Sequence, residues 1–200
     1  MGSRVIINRV ELKSFMNYRL LPIILLYNII FVILYFDFIT LNFYSLIEDI
    51  SIHSVLYVLL KYLLFMVAWI VGIFIHEFIH GFTFALFGKY GFKSVRFGIE
   101  KGTFLFYTSF LEPLPKFGFI VGGIMPSIIL GVIPAILALI FGDFVLALFG
   151  SIFLYGAGGD FLMVEKALKI KGSYLFGGEN DESEEDFLGF DVTEREVSHS

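Results

Sequence analysis

Four long and almost uncharged apolar stretches constrain the fold of this chain more than any other feature. A hydrocarbon core about 30 Å thick is crossed by roughly 20 helical residues, and each stretch is near that length. Apolar residues make up 58% of the 200 residues and charged residues 16%, against about 45–50% and about 25% in soluble domains. This composition excludes an ordinary soluble globule and a disordered chain, and it argues against a nucleic-acid binder, which needs a basic face. The sequence predicts an all-α transmembrane fold of four helices.

The apolar stretches define one membrane domain over residues 20–176. The predicted spans cover 20–41, 58–88, 117–141 and 144–165. Only two residues, Gly142 and Asp143, separate the last two spans, so we expect these spans to form a tight antiparallel pair. Residues 1–19 form an N-terminal cytoplasmic segment. Residues 177–200 carry nine acidic residues against one arginine, which predicts an acidic, disordered tail.

Charged residues in the connections predict the orientation of the spans. Basic residues dominate the segment before the first span, the connection 89–116 and the residues that follow the fourth span. Acidic residues dominate the other two connections: Asp37, Glu48, Asp49 and Asp143. Basic connections favour the cytoplasmic side of a membrane. We therefore expect an integral, multi-pass membrane protein with both termini in the cytoplasm.

The connection between the second and third spans carries a strand pattern. Residues 94–99 and 103–110 are rich in β-branched and aromatic side chains, and Glu100, Lys101 and Gly102 between them are typical of a turn. This pattern predicts a small β-hairpin over about 94–110, at the cytoplasmic surface of the membrane. The alternative is an irregular interfacial loop whose aromatic side chains dip into the headgroups.

The second span contains the sequence His76-Glu77-Phe78-Ile79-His80, an HExxH pattern. Helical residues four apart lie on one face, so both imidazoles can reach one metal ion, while Glu77 can address a water molecule at that ion. Zinc activates such a water, and the glutamate accepts its proton during attack on a carbonyl carbon. Histidines and a glutamate inside an apolar span favour a functional role. The alternative is that they face a neighbouring helix and bond only to one another.

A catalytic zinc site takes three protein ligands as a rule, and this chain has no cysteine to supply the third. His53 precedes the second span on its outer side, and His199 lies in the tail. Asp160 is the one carboxylate well inside another span. At 1.5 Å per residue, His76 and Asp160 lie at similar depths, about 21 Å and about 24 Å into parallel spans. We predict His76, His80 and Asp160 as metal ligands, with Glu165 as the next candidate and a helix-end role as the alternative for Asp160.

Taken together, these residues resemble the putative zincin peptidases, short HExxH membrane proteins related in plan to the site-2 protease class of intramembrane metalloproteases. The resemblance covers roughly residues 60–165. The matching residues are His76, Glu77 and His80 of the HExxH motif, Met125-Pro126 at a proline usual in the following span, and Gly159-Asp160 at the late aspartate that is the third ligand in site-2 proteases. By themselves, Pro126 and Pro134 most simply predict a kink in the third span, with the opening of a substrate path beside the site as the alternative role.

The resemblance implies a zinc-dependent endopeptidase that acts within or beside the membrane, with Glu77 as the catalytic base and the active site towards the cytoplasm. The expected partners are the lipid bilayer and a membrane protein or peptide substrate, with no nucleic acid. The hairpin would hold an unwound substrate segment as an added strand. Two alternatives remain open from the residues: an ion or proton relay of a transporter, and a catalytically silent protein that binds transmembrane segments.

Overall fold

The computed structural model describes residues 3–48, 50–99, 106–170, 173–177 and 186–193. The helices are α1 (Arg9–Leu34), α2 (Phe36–Glu48), α3 (Ile52–Phe87), α4 (Lys116–Phe141), α5 (Phe144–Gly156) and α6 (Gly158–Lys169). The strands are β1 (Ser3–Asn8), β2 (Val95–Ile99), β3 (Phe106–Phe110), β4 (Leu114–Pro115), β5 (Tyr174–Gly177) and β6 (Asp186–Thr193).

Helices dominate the described chain, as expected. By length and composition α1, α3 and α4 can each cross a membrane, and α5 with α6 makes a fourth span if this pair, bent by 49°, counts as one. Large apolar side chains point outward from these helices, and Leu25, Ile33 and Leu63 are each more than half exposed. An apolar outer surface of this extent is what lipid tails cover in a membrane protein. The fold is therefore consistent with a membrane protein.

The first helix differs from the predicted span 20–41 at both ends. It begins directly after Asn8, whose side-chain oxygen accepts a hydrogen bond from the Glu11 N–H at 2.7 Å. Such a cap starts a helix whether or not the following residues are apolar. The helix ends at Leu34, and a separate helix follows one residue later. The segment 1–19 thus contains a strand and the first turns of α1, which the hydropathy pattern did not indicate.

The other helix boundaries show the same influence of local capping. α3 starts well before the predicted residue 58, because Ser51 and Ser54 form a reciprocal capping box at its N-terminus. α4 agrees with the predicted span 117–141. The predicted span 144–165 is broken at Ala157, where the backbone leaves helical values (φ −77°, ψ 11°). Glycines on both sides of Ala157 weaken the helix there.

The turn between α4 and α5 is as tight as its length predicts. Gly142 adopts a positive φ of 67°, a conformation that glycine reaches without strain. The Asp143 side chain then caps α5 by accepting hydrogen bonds from the backbone N–H groups of Val145 (2.8 Å) and Leu146 (3.1 Å). The two helices pack against each other as an antiparallel pair, which confirms the prediction.

A four-stranded antiparallel sheet, in the order β1-β6-β5-β4, was not expected for an all-α chain. Its central strand β6 comes from the predicted disordered tail 177–200, so that prediction is wrong for residues 186–193. The physical reason is a short alternation inside the acidic sequence: Phe190 and Val192 are only 1% and 5% exposed, as on the inner face of a strand. The remaining tail residues, 178–185 and 194–200, lie outside the described residues.

This sheet joins three distant parts of the chain at one end of the helices. β1 belongs to the N-terminal segment, β4 to the connection between α3 and α4, and β5 and β6 to the C-terminal segment. These are the three segments in which basic residues cluster before residue 177. Their assembly at one end agrees with a common side for both termini, and the assignment of that side to the cytoplasm stays a prediction.

The predicted hairpin over 94–110 is confirmed for its two strands. β2 and β3 pair antiparallel over five residue pairs, from Val95 opposite Phe110 to Ile99 opposite Phe106. The turn residues 100–105 lie outside the described part of the chain. At the base of the hairpin, the Ser94 hydroxyl donates to the Glu112 carboxylate, and the Tyr90 N–H donates to the Ser94 hydroxyl oxygen at 3.2 Å. These bonds attach the hairpin to the end of α3.

We predict that Phe190→Ala destabilises the protein strongly. The Phe190 ring is buried and lies 5.1 Å from the Phe119 ring of α4, so truncation leaves a cavity in the core beneath the sheet. The expected loss is about 3–5 kcal/mol of unfolding free energy. Thermal unfolding in detergent measures it. Phe36→Ala is the matched control, since Phe36 is 58% exposed and its truncation should change the free energy by under about 0.5 kcal/mol. Equal melting temperatures for both variants would contradict a packed β6.

Candidate metal centre

Three potential ligand atoms from two helices converge in the described structure. His76 Nε2 lies 3.2 Å from Asp160 Oδ2, and His80 Nε2 lies 3.2 Å from His76 Nε2 and 3.4 Å from Asp160 Oδ2. The three atoms thus form a nearly equilateral triangle. Both imidazoles come from one face of α3 and the carboxylate from the first turn of α6, as the spacing and the depth estimate predict. The side chains are largely buried, with exposures of 13%, 7% and 17%.

The size of this triangle suits a tetrahedral zinc ion. With zinc–ligand bonds of about 2.0–2.1 Å, tetrahedral angles separate neighbouring ligand atoms by about 3.3–3.4 Å. The observed separations of 3.2–3.4 Å match this value. Two imidazole nitrogens and one carboxylate oxygen are also a common ligand set of catalytic zinc, which keeps its fourth position open. The residues present therefore fit a catalytic zinc site.

A backbone carbonyl orients one of the two imidazoles. His80 Nδ1 lies 2.8 Å from the carbonyl oxygen of Gly122 in α4. Because a carbonyl oxygen can only accept, Nδ1 donates the hydrogen, and in the neutral ring the lone pair is then on Nε2. Nε2 is the atom that faces the other two ligand atoms. Such outer contacts fix the ring orientation of metal-binding histidines. The sequence pattern gave no sign of this partner beyond the small residue at position 122.

Aromatic rings enclose the two imidazoles. The Phe153 ring of α5 stacks on His76 with centroids 6.3 Å apart, and the Phe84 ring stacks on His80 at 5.9 Å. Gly72 makes the first contact possible, because a Cβ at this position would lie 2.4 Å from Phe153 Cζ. The rings limit the access of solvent to the cluster from these sides, which strengthens electrostatic interactions within it.

Glu77 lies next to the cluster. It follows His76 on α3 and therefore projects about 100° further round the helix. Its half-buried carboxylate interacts electrostatically with both imidazoles and with Asp160. The carboxylate is thus beside the cluster, while the three atoms that converge there come from His76, His80 and Asp160.

The hairpin packs directly on the HExxH segment of α3. The Thr108 hydroxyl of β3 donates a hydrogen bond to the backbone carbonyl oxygen of Glu77 at 2.8 Å, and the Phe106 ring lies 4.3 Å from that of Phe74. Gly81 lets β2 approach, since a Cβ there would lie 2.3 Å from Phe97 Cζ. Sequence analysis predicted a hairpin near the site but not these contacts, because strand residues carry no signal of which helix they will meet.

The structure brings Asp160, and not Glu165, to the two histidines. Glu165 lies further along α6 and pairs with Arg19 of α1 at 2.6 Å and with Lys169 at 2.5 Å. His53, which the sequence already placed on the outer side, lies in the first turn of α3, far from the cluster along the helix. His199 lies outside the described residues. Within the described chain, this trio is the group of three histidine or acidic residues that could hold a metal ion.

More than half of the chain matches the model of one protein family. The model of the family described as "Putative zincin peptidase" matches residues 69–174. The chain belongs to this family. The matched region extends from α3 to β5 and contains all three ligand candidates and Glu77. No curated protein and no solved structure matches the chain significantly. The description of this family as putative zincin peptidases suggests a metal-dependent peptidase and suggests zinc as its metal, while the relation to site-2 proteases stays a prediction.

We predict that the purified protein binds one zinc ion per chain and that His76→Ala, His80→Ala and Asp160→Ala each lose it. Each substitution removes one corner of the ligand triangle, and two remaining ligands hold zinc poorly. Elemental analysis after size-exclusion chromatography in detergent measures the stoichiometry.

His53→Ala is the matched control, since it removes a histidine from the same helix without touching the triangle. It should retain one zinc ion per chain. Full zinc content in His80→Ala would contradict the assignment of this residue as a ligand.

Proposed function

We propose that this member of the zincin peptidase family is a zinc-dependent endopeptidase that hydrolyses peptide bonds within or beside transmembrane segments of its substrates. The observation that carries this proposal is the triangle of His76, His80 and Asp160, with Glu77 beside it, inside helices long and apolar enough to span a membrane. Peptidase activity is supported by the family. The intramembrane setting is supported by the position of the cluster in the helices.

The depth of the cluster in the membrane follows from its place along α3. His80 and His76 lie seven and eleven residues before the end of α3 at Phe87, or roughly 10 Å and 17 Å along the helix axis. If this end of α3 meets the membrane surface, His80 lies within the nearer half of a hydrocarbon core about 30 Å thick and His76 lies close to its midplane. The distribution of basic residues in the connections favours the cytoplasmic side for this surface. Water would thus reach the site from the cytoplasm.

The mechanism assigns one role to each residue. His76, His80 and Asp160 would hold the ion, which when bound supplies Lewis-acid activation of water and of the substrate carbonyl. The Glu77 carboxylate accepts the proton that water loses as its oxygen bonds to the carbonyl carbon. Glu77 then delivers this proton to the amide nitrogen while the C–N bond breaks. One water molecule is consumed, and a carboxylic acid and an amine are released.

The hairpin supplies a means to present substrate. In the described part of the chain, β2 and β3 pair with each other and with no other strand, and an unpaired strand edge is where an extended peptide can add as a further strand. Thr108 connects the hairpin to the backbone at Glu77. A transmembrane helix must unwind before a peptidase can reach its backbone. We propose that an unwound segment pairs with the hairpin edge and is thereby aligned with the metal centre.

We expect Glu77→Gln to abolish cleavage while zinc remains bound, because an amide cannot accept the proton but is not needed to hold the ion. Membranes are prepared from cells that produce the wild type or the variant, and new protein N-termini are labelled and identified by mass spectrometry. Wild-type membranes should contain N-termini within or beside transmembrane segments that are lacking in the variant.

Glu48→Gln in the exposed part of α2 is the matched control and should yield the wild-type set of N-termini. Identical sets for the wild type and Glu77→Gln would contradict the proposed function. An ion flux into proteoliposomes that depends on Glu77, without any change in N-termini, would favour the relay of a transporter instead.

A further inference from the structure

The hydrogen bond between His80 and Gly122 uses a backbone carbonyl oxygen from the interior of α4 as its acceptor. The Gly122 carbonyl lies inside α4, where a carbonyl oxygen ordinarily accepts the N–H of the residue four positions later. Here the oxygen instead receives the imidazole Nδ1–H of another helix at 2.8 Å. A carbonyl that served both donors would hold the imidazole less firmly, because the two donors would compete for its preferred directions.

The residue four positions after Gly122 is Pro126. Its backbone is helical, with φ −60° and ψ −40°, but proline has no N–H to donate. The next backbone N–H, that of Ser127, is directed to the carbonyl oxygen of Ile124. Because proline has no N–H, the Gly122 oxygen lacks its usual intrahelical donor. The oxygen is therefore free to accept the hydrogen bond from His80. A proline ring also pushes the carbonyl of the residue four positions earlier away from the helix axis, which exposes it to a neighbouring helix.

Glycine at position 122 completes the arrangement. A Cβ there would lie 2.2 Å from Cε1 of the Phe84 side chain on α3, so glycine lets the Phe84 ring lie directly against the backbone of α4. The bond is buried, and His80 is 6% exposed. Water is thus a poor substitute for either partner. Gly122 brings the carbonyl within reach of α3, and Pro126 leaves it without a competing donor.

We propose that Pro126 is a positioning residue of the metal centre. By withholding an N–H from the Gly122 carbonyl, it reserves this oxygen for His80, holds the Nδ1–H tautomer, and directs the Nε2 lone pair towards His76 Nε2 and Asp160 Oδ2. On this proposal, the missing N–H of Pro126 matters more for the metal centre than the helix kink that a proline produces. This inference rests on the proposed function for the identity of the ion, and the tautomer of His80 tests it without any ion.

The first experiment measures the tautomer in the full-length, metal-free protein. The chain has four histidines, which ¹⁵N labelling and histidine substitutions assign by NMR in detergent micelles. At a pH at which the His80 imidazole is neutral, we expect Nδ1–H for His80 in the wild type and a shift towards Nε2–H in Pro126→Ala, which restores the competing N–H. Pro134→Ala is the matched control, because Pro134 is a second proline of α4 whose fourth preceding residue is Leu130, not Gly122.

A second variant separates the missing N–H from the proline ring. Replacement of Pro126 by lactic acid, through nonsense suppression with the α-hydroxy acid, places an ester at this position and supplies neither ring nor N–H. We expect Pro126→Ala to weaken zinc affinity by about 10–100-fold, as the loss of outer-sphere partners does. The lactic acid variant and Pro134→Ala should bind zinc as the wild type does. Competition with a chromogenic chelator measures the affinities, and the visible spectrum of Co²⁺-loaded protein reports the ligand geometry.

The outcomes distinguish this inference from the proposed function. An unchanged His80 tautomer in Pro126→Ala, or equal losses of zinc affinity in Pro126→Ala and the lactic acid variant, would overturn the positioning role. The His80 tautomer could change as expected in Pro126→Ala while the wild-type protein binds no zinc. That result would support the positioning role of Pro126 and refute the proposed zinc peptidase.

Discussion

The convergence of two imidazoles and a carboxylate between α3 and α6 is the constraint on which the rest of the structure depends. Three polar side chains inside apolar helices are unfavourable unless each finds a partner. Here each finds the other two within 3.4 Å. The same spacing that satisfies them also matches the ligand separations of tetrahedral zinc. The polar interior of the protein is thus both a contact between helices and a candidate metal site.

Several features of the surrounding structure serve to keep this triangle in place. Gly72, Gly81 and Gly122 let α5, the hairpin and α4 approach the HExxH face of α3 more closely than a Cβ would allow. On the other side of the cluster, Gly158 packs against Met16 of α1 in the same way, next to the bend that aims Asp160. These glycines lie on three helices, α3, α4 and α6, but serve one purpose. They let neighbouring side chains lie directly against the helix backbone, which keeps the surrounding elements close to the site.

The sequence was sufficient for the features that depend on local pattern. Hydropathy predicted the helices, the HExxH spacing predicted the joint placement of His76 and His80, and a depth estimate selected Asp160 over Glu165. Features that depend on pairing between distant segments were not predictable in this way. Strand β6 forms because Phe190 fits beside Phe119, and the Gly122 carbonyl matters because it meets His80. The pattern of a single sequence does not indicate which distant residue a side chain or carbonyl will contact. The short strand β6 was also hard to recognise because acidic residues surround it.

Zinc K-edge X-ray absorption of the purified wild type tests the central claim most directly. We predict a first shell of about four nitrogen and oxygen atoms near 2.0 Å, with the outer-shell scattering of two imidazoles. A spectrum without imidazole scattering, or one with a six-coordinate oxygen shell, would contradict the account, because the ion would then be bound elsewhere than between His76, His80 and Asp160.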